Sequence, residues 1–387
     1  MPSFFRNTVS AIAIVVLLPA ISHSQPAPLT TDRPFGQLEV FATFDGAMPT
    51  GVTVSRHNRV FVNFPRWGDD VPFTVAELIN GKAVAYPNAE INRQDNADAA
   101  HHFISVQSVV VDPKDRLWVL DTGAPMMKEP IPNGPKLVCI DLATNNVVQT
   151  ILFPSDVAGP TAYLNDVRFD LRYGKAGFAY ITDSSEKGPN GIIVVDLGSG
   201  ESWRRLNDDP STRPAADFIA IVEGRPVYRK QPGLPGRPFL SGSDGIAISV
   251  DGSVLYYCPL SSRVLYAVNT DALRDRTPRD QAIATVRIFA GKGASDGLES
   301  DTAGNVFAGD YESDSIDIIR PDGSLEVLVH DPRLLWPDTM SLADDGNLYV
   351  TANQLTRQPS LNDGKDLRQK PYVLFRIKTQ STPVRLQ

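Results

Sequence analysis

The sequence predicts an all-β chain folded as a six-bladed β-propeller, and three observations carry the prediction. One short two-strand unit recurs six times along the 387 residues. Its apolar residues alternate with a period of two around turns rich in Asp, Gly and Asn, the pattern of a β-hairpin. No stretch of comparable length shows the 3.6-residue period of an amphipathic helix.

The six copies begin PTGVTVSRHNRVFVNF at Pro49, VQSVVVDPKDRLWVLDTG at Val106, LNDVRFDLRYGKAGFAYITDS at Leu164, SDGIAISVDGSVLYYC at Ser243, SDGLESDTAGNVFAGD at Ser295 and WPDTMSLADDGNLYVTAN at Trp336. Anchored at Gly51, Ser108, Asp166, Asp244, Asp296 and Asp338, they lie 57, 58, 78, 52 and 42 residues apart. Those intervals suit four-stranded blades joined by loops of unequal length. Third strands follow at Lys136 to Asp141, Gly191 to Leu197, Val264 to Asn269, Ser315 to Arg320 and Tyr372 to Ile377. About twenty-four strands exceed the seven to nine of a β-sandwich.

Composition agrees. Hydrophobic residues make up 42% and charged residues 21% of the chain, enough to bury a full core. Lys and Arg number 37 against 45 Asp and Glu, a formal net charge of -8 with no long run of either sign. Nucleic acid and anionic membrane are therefore not expected partners.

Three segments are expected. Residues 1–24 read as an export signal: Arg6 supplies a basic start, Val9 to Ala20 is an apolar stretch too short to span a bilayer, and Ser22-His23-Ser24 is a cleavage site. Residues 25–37 read as a linker and 38–380 as the propeller, placing the protein outside the cell or in the periplasm with no membrane partner after cleavage. Cys139 and Cys258 lie in strand-like runs of non-adjacent copies, so they read as two buried free thiols and not a disulfide. No Asn-x-Ser/Thr sequon occurs.

From Leu38 to about Lys378 the chain resembles the major royal jelly protein/yellow family. The resemblance rests on MPTGV with VFVNFPRW (Met48 to Trp67), DRLWVLDTG (Asp115 to Gly123), PKLVCIDL (Pro135 to Leu142), YLNDVRFD (Tyr163 to Asp170), AYITDS with GIIVVDL (Ala179 to Leu197), YYCPLSS (Tyr256 to Ser262) and LLWPDTMSLADDGNLYV (Leu334 to Val350). It implies a six-bladed propeller and a range of activities, among them dopachrome conversion and binding of biogenic amines. The simple export signal and the lack of sequons point to a bacterial member. A second, weaker resemblance is to the gluconolactonase/senescence-marker propellers, which hydrolyse lactones with a divalent metal. It would make Asn165, Asp244 and Asp296 metal ligands, although the Glu of that family's first repeat is replaced by Met48-Pro49-Thr50-Gly51 here.

Each copy carries its polar pair at the start of its first strand, which lines the central channel of a propeller. Asn165, Asp166, Asp244, Asp296 and Asp338 should therefore converge on one mouth. Carboxylates so placed repel one another unless a cation, a bound water or a shared proton offsets them. Alternatively, each Asp caps its blade by accepting backbone N–H groups. Arg66 is placed to neutralise those carboxylates, to bind an anionic ligand, or to stack on Trp67. Asn353 resembles the Asn of the family's amine pocket. Three motifs carry no chemistry: Gly293 to Gly297 fits G-x-S-x-G without a following helix, Asp301 to Glu312 lacks EF-hand ligands, and adjacent His101 and His102 would face opposite ways.

Three readings follow. The first is a small-molecule binder for a catechol, quinone or amine, with isomerisation in which Asp166 and Asp244 move a proton, Asn165, Asp296, Asp338, Asn353, Arg66 and Trp67 bind the ligand, and no cofactor is assigned. The second is a Ca²⁺-dependent lactonase using Asn165, Asp244 and Asp296. The third is a non-catalytic interaction scaffold.

Overall fold

The computed structural model describes Pro2 and residues 32–387 apart from 231, 277 and 278. The expected export signal, 1–24, lies outside the described residues except for Pro2, and most of the linker does also. Residues 33–387 form one compact unit.

Six four-stranded antiparallel sheets make the blades, and their innermost strands follow one another in a closed ring. In order around the ring those strands are Val52–Val54, Val106–Val111, Leu164–Asp170, Ser243–Ile248, Ser295–Ser300 and Pro337–Leu342. Each falls on one of the six sequence copies. The third strands stand where expected, at Lys136–Asp141, Gly191–Asp196, Val264–Asn269, Ser315–Ile319 and Tyr372–Lys378.

The ring is closed by the chain's own beginning. Glu39–Phe44 adds to Tyr372–Lys378 as the outermost strand of blade 6, so the first and last parts of the propeller share one sheet. Between the blades lie apolar layers. One joins Trp118, Leu137 and Cys139 of blade 2 to Phe169, Ile181 and Ile193 of blade 3, with Trp118 stacked on Phe169 at 5.3 Å. Cys139 and Cys258 are buried and free, in blades 2 and 4.

Two features interrupt the repeat. Blade 4 carries short helices at Thr270–Arg274 and Arg279–Ala284 before its outer strand. The 78-residue interval between copies three and four holds an insertion with two small hairpins, Ile221–Val222 with Arg225–Pro226 and Tyr228–Arg229 with Arg237–Pro238. The end of the channel away from the polar pairs is a cavity of about 70 Å³ lined by all six inner strands and by Pro383, Val384 and Arg385.

Candidate functional site

The polar pairs are delivered by a repeated backbone device. In blade 3, Leu164 pairs with Asp183 but Val167 with Ile181, so Asn165 and Asp166 together oppose Thr182. Blades 4, 5 and 6 repeat this bulge with Asp244-Gly245 against Cys258, Asp296-Gly297 against Gly309, and Asp338-Thr339 against Thr351. A bulge re-aims side chains at the rim of a closed sheet, here at the same height in four successive blades. Residues of the second strand satisfy the loosened backbone. Thr182 donates to the Asp244 carbonyl at 2.6 Å and accepts from the Asp166 amide at 3.2 Å. Thr351 donates to the Thr50 carbonyl at 2.7 Å, and Asn63 donates to the Gln107 carbonyl at 3.0 Å.

The Asp-Gly pairs reflect close approach, not a turn. A Cβ on Gly245 would stand 2.2 Å from the Asp296 carbonyl oxygen, and one on Gly297 2.2 Å from that of Asp338. Only glycine lets neighbouring inner strands come this near.

The carboxylates themselves are engaged by side chains. Ser108 donates to Asp166 at 2.7 Å, the Trp336 indole to Asp296 at 2.6 Å, and Thr339 to Asp338 at 3.1 Å. Asn353, fully buried, also donates to Asp338. Asp166 also accepts the Val167 amide at 3.2 Å, and more extensive backbone capping falls to other aspartates. Asp121 accepts the amides of Ile104, Ser105 and Gly123, and Asp183 those of Tyr163 and Ser185.

Burial dominates the electrostatics. It raises Asp244 well above the usual carboxylate range, and the charge of Asp296, hydrogen-bonded to it, pushes the same way. Asp338 is raised for the same two reasons, against the pull of Thr339 and Asn353. Asp296 is pushed up to about 6 by burial, while its bonds to Asp244 and Trp336 and the Lys292 ammonium hold it down. Burial and mutual repulsion thus favour one proton held between the hydrogen-bonded Asp244 and Asp296, with one carboxyl donating and the other accepting.

Aromatic rings wall this pair. Trp336 stacks on Tyr311 at 3.9 Å and 11°. It does so from a left-handed backbone, φ +60°, a costly conformation for a bulky side chain held here by the stack and by the indole bond to Asp296. Next to the blade-3 bulge the Trp67 indole donates to Tyr163 at 2.7 Å, and Tyr163 donates to Gln107 at 3.0 Å. Phe218, Phe239 and Leu361 pack with Leu335, Tyr311 and Trp336, so the insertion and the 355–361 turn roof the mouth above blades 4 to 6. The roof is tied by Arg229 to Glu186 at 3.0 Å and Arg357 to Glu223 at 2.6 Å.

The structure thus brings Asp166, Asp244, Asp296, Asp338 and Asn353 into one buried set, with Asn165 beside Asp166 in the same bulge and Trp67 joined through Tyr163. Arg66 is engaged elsewhere. Its guanidinium donates to the carbonyls of Ile104 at 3.0 Å, Asn92 at 2.9 Å and Val71, tying the loop after blade 1. Sequence reasoning missed Trp336, Tyr311, Tyr163 and Lys292. Tyr163 and Trp336 share one repeat position, two residues before Asn165 and Asp338, a register that aligning the copies would have exposed.

A calcium ion needs six to eight oxygens around an open centre. Among the described residues no three His, Cys, Asp or Glu side chains converge as a group able to hold a metal. Of the three residues read as calcium ligands, Asp296 is already engaged by the Trp336 indole at 2.6 Å.

Comparison with known proteins follows the same lines. Yellow from Drosophila subobscura is 30% identical over 251 residues, 60% of this chain and 40% of that protein. Major royal jelly protein 1 of Apis mellifera is 28% identical over 232 residues, 56% of this chain and 49% of its own length. Yellow-related salivary protein SP04 of Phlebotomus argentipes is 28% identical over 246 residues, 60% and 58% of the two chains. The match therefore spans about two fifths to three fifths of these relatives. Among solved structures, a calcium-binding regucalcin from Agrobacterium tumefaciens aligns with TM-score 0.55 at 14% identity, covering 90% of this chain and 98% of that one. A luciferin-regenerating enzyme aligns with TM-score 0.55 at 12% identity over 92% and 100%. At such identities these likenesses speak for the propeller fold alone. The Major royal jelly protein family matches residues 104–382, most of the propeller, and the chain belongs to that family.

Proposed function

We propose that the channel mouth seats a small catechol, quinone or aromatic amine, and that the Asp244–Asp296 pair isomerises a quinone-type substrate by moving a proton between two of its carbons. The observation that carries this is the pair of buried, mutually hydrogen-bonded carboxyls, Asp244 and Asp296. The ionised member of the pair takes a proton from one carbon and the protonated member returns one at another, so nothing is oxidised or reduced and no cofactor is consumed. Burial raises both groups above the ordinary carboxylate range. Asn353 and Asp338 offer a hydrogen-bonding edge to an amine, and Trp336, Tyr311, Trp67 and Tyr163 offer aromatic walls. Asp166 accepts the Ser108 hydroxyl and so orients it.

The test is absorbance-followed tautomerisation of a dopachrome-type quinone by wild type, Asp244→Asn and Asp296→Asn. Loss in both variants, with both still folded and melting cooperatively, is the expected result. Wild-type turnover in either folded variant removes the pair from the chemistry.

Export belongs to the same proposal. It rests on the basic start, the apolar Val9 to Ala20 stretch and the small residues to Ser24. No described helix is long and apolar enough to cross a membrane. N-terminal sequencing of protein recovered outside the cytoplasm should begin after Ser24, and an intact Met1 there would refute cleavage.

A further inference from the structure

A second cleft lies away from the channel, at the seam where the strand Glu39–Phe44 closes blade 6 beside blade 1. It measures about 250 Å³, the space of roughly eight water molecules at ~30 Å³ each. Its walls are Phe44, Phe64, Phe73, Pro72, Ala47 and Ala83. Phe64 sits edge-on to both Phe44 and Phe73, at 5.4 and 6.1 Å, so the aromatic surface is continuous and rigid. Water in such a place finds few hydrogen-bond partners, and an apolar body that displaces it gains affinity.

The rim is charged, with one residue of each sign. Asp45 and Lys82 both line the cleft, both are exposed, and among the described residues neither is held by a hydrogen bond or an ion pair. A carboxylate and an ammonium, unpaired on the rim of a phenylalanine-lined cleft, complement a ligand with an aromatic ring and both charges. We infer that this cleft binds an aromatic α-amino acid, its ring among Phe44, Phe64 and Phe73, its ammonium toward Asp45 and its carboxylate toward Lys82. The site shares none of these rings or charges with the channel mouth and stands independently of the proposed isomerase.

The structure also supplies a blocking variant. Gly46 lines the cleft, and a Cβ placed on it meets no atom within 4 Å. Gly46→Trp therefore puts an indole at the mouth of the cleft without a backbone clash.

The experiment is calorimetric or NMR titration of the folded protein with L-phenylalanine, glycine, phenethylamine and 3-phenylpropionate, repeated on Gly46→Trp. L-phenylalanine should saturate and glycine should not. Each singly charged analogue should bind roughly two- to fivefold more weakly, the size of a solvent-exposed ion pair. Gly46→Trp should melt as wild type does and lose the L-phenylalanine signal. Phenethylamine bound at the channel mouth would survive that variant, so only the signal it removes is scored. Saturation by glycine, equal binding of all three ring compounds, undiminished binding to Gly46→Trp, or no saturable binding of L-phenylalanine each overturns the assignment.

Discussion

Replacing Asp296 with Asn should stabilise the protein above neutral pH and leave it unchanged in acid. Asp296 is held at about 6 against an ordinary 3.8, so its folded form prefers the proton. A carboxyl raised in this way contributes its stability below about pH 4 and loses it as pH climbs through 6. The shift of about 2.2 units corresponds to about 3 kcal/mol at 1.36 kcal/mol per unit. Asparagine mimics the protonated acid: its oxygen can accept the Trp336 indole and its amide can donate to Asp244. The propeller unit, residues 33–387, has an unfolding entropy of roughly 0.75 kcal/mol/K at ~2.1 cal/mol/K per residue, so the gain is a rise in melting temperature of up to ~4 °C at pH 7.5. The assay is calorimetric melting of wild type and Asp296→Asn from pH 4 to 8, scored as the difference between the two curves, which cancels every other titrating group. Parallel curves across that range would show that Asp296 titrates normally and would remove the shared proton.

Three further outcomes follow from other contacts. Trp336→Phe keeps the stack on Tyr311 but removes the indole donor at 2.6 Å, so the pH at which wild type loses the Asp296 contribution should move up by about one unit, the worth of a hydrogen bond to a charged group; an unmoved midpoint contradicts that bond. Lys136→Met leaves the Asp121 carboxylate buried without its cation at 2.7 Å and should cost about 3–5 kcal/mol in urea unfolding; a loss under 1 kcal/mol contradicts it. Gly245→Ala forces apart two inner strands whose approach leaves 2.2 Å for a Cβ and should cost at least ~2 kcal/mol, with a neutral result contradicting the close approach.

How much of this was legible in the sequence differs by level. The six inner strands were visible because period-two alternation and a polar anchor survive insertions of any length between copies. The convergence of Asn165, Asp244, Asp296 and Asp338 followed from that repeat, since a ring carries equivalent positions to one mouth, with Asp166 in the next position of the blade-3 bulge. What the pattern hides is register: the two-against-one bulges that aim those side chains depend on strand pairing, and no residue type announces them. Closure by Glu39–Phe44 is likewise a pairing across the whole chain, silent in a local reading. The 78-residue interval signalled an insertion, yet its role as a roof lies in contacts of Phe218 and Phe239 with Trp336. The sequence reading of Arg66, set against the channel carboxylates, an anionic ligand or Trp67, misses its carbonyl partners because groups such as the Ile104 carbonyl leave no trace in a list of side chains.

The central claim is that the channel mouth is a seat for a small organic molecule. It is tested most directly by melting the protein alone, with EDTA, with Ca²⁺, and with panels of catecholamines and lactones, because a ligand specific to the native state raises the melting temperature by mass action. The account predicts a shift with a catechol or aromatic amine that disappears in Asp338→Asn and is indifferent to EDTA and Ca²⁺. A Ca²⁺-dependent shift would replace it with the lactonase reading, and no shift with any compound would leave the propeller an interaction scaffold.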